Sequence, residues 1–218
     1  MGIAPPTVPA DRLESEGWRV ADRAEGTAFD VGVVAVGTHA VVYEDARLRE
    51  AIRAETGIDG TWRFFLASRV SFAGPVPNSR LLGRFVADRA HEGFRDALLE
   101  RGFSNLRTTE QRRISFDEAD GTPAGIGVDE TVGADDGDGS EPAEPVGYDA
   151  DCVLDAVRLR TRALAAVRGT DDGRLLVGGA YPTDVREAPD PEVRERLREH
   201  VDPERFEADL LALIRATG

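Results

Sequence analysis

Residues 153–181 read VLDAVRLRTRALAAVRGTDDGRLLVGGAY, and this stretch decides the fold. Val157, Leu159, Thr161, Ala163, Ala165 and Val167 alternate with Arg158, Arg160 and Arg162. A period of two places the two sets on opposite faces of a strand. The polar run from Arg168 to Arg174 turns the chain, and Leu175 to Tyr181 returns it as the second arm of a hairpin. Pro182 is expected to end that arm. Gly178-Gly179 reads as a bulge or a close approach of neighbouring backbone.

Working upstream, Leu106 to Phe116 reads as a strand, and Trp62 to Phe72 as an aromatic-rich strand broken by Pro75 and Pro77. Trp18 to Ala24 is a first strand. Phe29 to Glu44 is one long Val-rich strand, or two with a kink near Gly37-Thr38. Helices are expected from Pro9 to a stop at Gly17, from Asp45 to Gly57, and from Arg80 to Arg101 with Gly102 capping the end. In the last of these, Leu82, Phe85, Val86, Phe94, Leu98 and Leu99 recur at helical spacing. Two helices close the chain, Pro191 to Val201 and Pro203 to Ala216, the second with Phe206, Leu210, Leu213 and Ile214 as its apolar stripe. Strand pairs joined by polar turns, without βαβ alternation, give an α+β fold. It is a mainly antiparallel sheet with helices on one face and a long acidic loop. The whole chain, 1–218, is expected to form a single domain, with 117–151 as a flexible acidic loop inside it.

IAPPTVPADRLESEGW, the paired aromatics before VSF and the late LLVGGAYP resemble a haloarchaeal family of uncharacterised proteins, many of them lipoprotein-like. The layout is also similar, at the level of fold, to PsbP- and Mog1-type α+β domains. These resemblances imply a salt-rich habitat, a sheet flanked by helices and a binding or accessory role, and they carry no catalytic residue over.

Composition favours the same habitat, with a high-GC bacterium as the alternative source. The chain has 218 residues, a net charge of −14, and no lysine: all 27 basic residues are arginine. Between Ile114 and Asp155 there are 13 acidic residues and no basic one, which leaves 28 Asp and Glu against 27 Arg elsewhere. The net charge thus belongs to one segment, which argues against sequence-independent nucleic-acid binding. The start lacks a basic-then-apolar leader, no apolar run is long enough to span a bilayer, and Cys152 is the only cysteine. A soluble cytoplasmic protein without membrane association is expected.

Within ADDGDGSEPAEP, residues 134–145, the carboxylates suggest a cation site at Asp135, Asp136 and Asp138. Counting from Asp136, the calcium-loop register places Glu141 where glycine belongs and Gly147 where glutamate belongs, so a solvated loop is the stronger reading. Arg158, Arg160 and Arg162 could bind phosphate or carboxylate groups. The ordinary use of such a face is cross-strand pairing with acids. His39, His91 and His200 have no ligand spacing among them, and one cysteine supplies no zinc set. Carboxylates beside Cys152 disfavour its thiolate. Trp18, Trp62, Phe64 and Phe65 read as core. No catalytic or cofactor signature is present, so no cofactor is expected. The expectation is a binding or accessory protein for an unknown protein or small molecule. The alternative is an enzyme or small-anion binder built on the Arg face.

Overall fold

The structure is a computed structural model, and it describes residues 3–31, 34–73, 80–109, 145–170 and 173–218. Seven strands form one antiparallel sheet: β1 (Trp18–Val31), β2 (Val34–Asp45), β3 (Phe64–Ala73), β4 (Phe103–Thr109), β5 (Val146–Leu154), β6 (Val157–Thr170) and β7 (Gly173–Glu187). Their order is β1-β2-β3-β7-β6-β5-β4. The helices are α1 (Ala10–Glu16), α2 (Ala46–Thr56), α3 (Arg80–Glu100), α4 (Pro191–Glu199) and α5 (Pro203–Ala216). The α+β class expected from the hairpin is the fold observed.

The β6–β7 hairpin pairs from Arg158↔Glu187 to Thr170↔Gly173 at the centre of the sheet. Its glycine pair accommodates crowding, as read. A Cβ on Gly178 would strike the Leu164 carbonyl, and one on Gly179 the Phe64 carbonyl. Pro182 does not end β7. The strand runs on to Glu187, with Pro182 opposite Thr161 at a register shift and past the last β3 pair, Phe64↔Ala180. There a missing N–H interrupts no regular ladder.

Helices cover both faces of the sheet, not one. Phe206, Leu210, Leu213 and Ile214 of α5 pack on Phe65, Ala67, Ala166, Leu175 and Val177. Phe94 and Leu98 of α3 pack on the other face, against Phe64, Tyr148, Ala163, Ala165 and Leu176. The cause is visible in the sequence. Ala163-Leu-Ala-Ala166 and Leu175-Leu-Val177 are apolar at successive positions, so both faces of the central strands must be buried. A third cluster joins Ile52 of α2 and Leu197 of α4 to Val157, Leu159 and Val185 at one end of β6 and β7.

Other boundaries moved. β1 extends to Val31 and pairs with β2 from Trp18↔Asp45 to Val31↔Val34, and Gly37-Thr38 lie within β2 rather than at a break between strands. β4 begins at Phe103, and the remainder of the strand expected to Phe116 lies outside the described residues. Val146–Leu154 is a strand, although the expected acidic loop ran to 151 and the Arg-faced strand was placed from Val153. Residues 117–144 of that loop lie outside the described residues.

Candidate functional site

Between α3 and the sheet lies a cleft of about 620 Å³. Its floor is the α3-facing side of three strands: Ala40 and Val42 of β2, Leu66, Ser68 and Val70 of β3, and Ala24 of β1. Phe94, Leu98 and Leu176 close its back, where α3 meets the central strands. Above the floor, Ala90, Gly93 and Ala97 line one stripe of α3. Packed interiors leave few voids larger than a water molecule. Here small residues face small residues, Ala24, Ala40 and Ser68 against Ala90, Gly93 and Ala97, and the space between them stays open. A Cβ added to Gly93 meets nothing within 4 Å.

The lips are charged. Phe85, Arg89, Glu92 and Asp96 form an exposed stripe of α3, facing Asp22 of β1. Arg89 Nη1 lies 2.7 Å from Glu92 Oε2, and its guanidinium lies 5.3 Å from the Phe85 ring centre. Arg101, just past α3, donates to the Ala97 carbonyl at 3.1 Å and lies 5.8 Å from the centre of the Phe64 ring. Phe85 and Leu99 were expected on the buried stripe, but they are 41% and 52% exposed. Among the described residues α3 buries Val86, Phe94 and Leu98, the last two in the cluster that includes Tyr148 of β5 and Ala163 and Ala165 of β6. There His91 Nδ1 lies 3.4 Å from the Tyr148 hydroxyl, and burial lowers the His91 pKa while raising that of Tyr148.

Arg158, Arg160 and Arg162 do share one sheet face, within an acid–base ladder away from the cleft. Arg160 stands opposite Asp151 on β5 and Asp184 on β7. Arg162 Nε lies 3.1 Å from Asp149, and its Nη1 lies 3.8 Å from Glu207 of α5. Arg158 lies 3.5 Å from Glu187. Asp135, Asp136 and Asp138 lie outside the described residues. Among the described residues no group of three His, Cys, Asp or Glu is placed to hold a metal ion. His39 pairs with Glu25 at 3.1 Å and His200 with Glu55 at 2.9 Å, on separate parts of the sheet and helices. Cys152 is buried, and burial pushes its thiol up. Trp18, Trp62, Phe64 and Phe65 are core, as expected.

Sequence reading missed the cleft. Its signal would have been the run of small residues on a helix, Ala90, Gly93 and Ala97, beside the small positions of β2 and β3. Among the described residues no helix is long and apolar enough to cross a membrane. No curated protein and no solved structure matches the chain. Residues 5–218 match a family described as Domain of unknown function (DUF6517), so nearly the whole chain, sheet, helices and cleft together, belongs to that family.

Proposed function

We propose that this is a non-catalytic binding protein of a salt-loving archaeon, acting in the cytoplasm, and that the cleft beside α3 takes an apolar small molecule. The observation that carries the reading is the cleft of about 620 Å³ between α3 and the sheet, which Gly93 borders. A packed helix would bury that stripe, and this one leaves it facing a floor of Ala24, Ala40 and Ser68. A volume of about 620 Å³ lies within the range of ligand sites, which are largely apolar with a few polar groups. The lysine-free, acidic composition supports the halophilic source.

The test is a titration with the apolar dye N-phenyl-1-naphthylamine. The native protein should bind it at micromolar concentration. Gly93→Leu fills the space and removes a glycine from a helix interior, so it should weaken dye binding at least about tenfold while keeping or raising stability. Equal dye binding by the two proteins would refute the reading.

A further inference from the structure

We propose that Ser68 sets the specificity of the cleft, and that the ligand is an apolar molecule carrying one neutral hydrogen-bonding oxygen, a carbonyl or hydroxyl, that meets Ser68 Oγ. This rests on the cleft being the ligand site. Ser68 is only 6% exposed, and its hydroxyl is not among the enclosed unpartnered polar atoms, so it opens onto the cleft that it lines. It sits mid-floor, opposite Ala40 on β2 and Leu176 on β7, with Leu66 and Val70 on either side along its own face. Its backbone lies within the ladders to both neighbouring strands, and its side chain lines the cleft.

A hydroxyl that opens onto apolar walls has water as its ordinary partner, and a ligand that displaces that water must offer an oxygen in its place. A serine hydroxyl can donate to a carbonyl or accept from an alcohol, so either oxygen satisfies it. A carboxylate at that depth would lose its hydration without a cation beside it. The lining arginines lie elsewhere, Arg89 on the lip with Glu92 and Arg101 by Phe64. The oxygen that meets Ser68 is therefore uncharged.

Fluorene and fluorenone differ by a single carbonyl and can be compared by competition against N-phenyl-1-naphthylamine. In Ser68→Ala the ratio of fluorenone to fluorene affinity should fall about fivefold from its native value, the worth of one ordinary hydrogen bond. Fluorene itself should be nearly unaffected, and Ser68→Thr should keep the native ratio. If the dye fails to bind, or binds Gly93→Leu as well as the native chain, the cleft reading fails and the Ser68 assignment falls with it. If the dye competes as expected but the ratio is the same in Ser68→Ala, the cleft stands and the Ser68 assignment is overturned.

Discussion

Arg63 Nε donates to Asp45 Oδ2 at 2.7 Å, while the other oxygen of the same carboxylate accepts the Leu48 amide at 2.9 Å and so caps α2. The guanidinium also reaches Asp209 of α5 at 3.0 Å and lies between Trp18 and Phe206, 4.8 and 4.5 Å from their ring centres. One side chain thus ties together the start of β1, the β2–α2 junction, the lead into β3, and α5. Both partners of the central pair are buried, Arg63 at 4% and Asp45 at 6% exposure. Removing one half of a buried pair strands the other charge, at a cost of about 3–5 kcal/mol. Arg63→Ala is expected to lose stability in that range in urea unfolding. Asp45→Asn should lose less than Asp45→Ala, because asparagine still caps the helix. A loss below about 1 kcal/mol for Arg63→Ala would show that the pair is not a structural hub.

Gly93 offers a stability measurement independent of any ligand. Glycine in a helix interior costs about 1 kcal/mol relative to alanine, and a Cβ here meets open space. Gly93→Ala should therefore raise the melting temperature by about 2–4 °C for a chain of this size. A lower melting temperature would mean that the space beside α3 is filled.

How much of this was legible differs by element. The hairpin, the long α3 and the stripe of α5 were readable because each follows a single period over many residues. β5 was hidden by its charge. Tyr148, Ala150 and Cys152 alternate with Asp149 and Asp151, a clean strand pattern, but the two aspartates merged with the acidic run before them. They belong instead to the cross-strand ladder, opposite Arg162 and Arg160. Two-sided helix packing was written in successive apolar residues on β6 and β7, which a hairpin reading based on alternation alone passes over. The cleft arises from side chains that are small, and periodicity detects large apolar residues better than it detects their absence.

The arginine ladder should be uneven in worth. Arg162 is the most enclosed of the three and bridges Asp149 and Glu207, whose Oε2 also accepts from the buried Tyr181 hydroxyl at 3.3 Å. Burial, with the Glu207 charge beside it, holds that phenol above its ordinary pKa. Arg162→Ala should cost about 1–2 kcal/mol, and Arg160→Ala, exposed on the same strand, less than about 0.5 kcal/mol. Thermal shifts with phosphate separate this structural role from anion binding. A rise in melting temperature with phosphate, beyond matched chloride and lost in Arg160→Ala, would favour the binding role.

Acid should loosen α3. Burial lowers the His91 pKa, and the charge of Asp88 only partly opposes this. A histidine held below its ordinary value is neutral in the fold and gains a proton more readily when unfolded. Its contribution is therefore present above about pH 6.5 and is lost as the pH falls through the lowered folded value. Urea unfolding of the native chain should weaken between about pH 7 and pH 5 more steeply than that of His91→Gln. Parallel curves for the two proteins would count against His91 as the titrating group.

Salt should stabilise the protein through one segment. Of the 13 carboxylates between Ile114 and Asp155, Asp149 and Asp151 stand opposite Arg162 and Arg160, and the other eleven have no cation within the segment, so like charges repel over distances comparable to the screening length at low salt. The unfolding midpoint is expected to rise from about 0.1 to 3 M KCl, with most of the gain at the low end, where the screening length shortens fastest. Replacing Asp135, Asp136 and Asp138 together with asparagine should raise the low-salt midpoint and flatten the curve. The remaining charges, 28 acidic against 27 basic, are nearly balanced and contribute little slope. Calcium at about 1 mM separates screening from a specific site. A rise in midpoint beyond that of magnesium at equal concentration, absent in the triple variant, would mark the aspartates as a cation site, because selectivity between these ions comes from ligand number and cavity size rather than ionic strength.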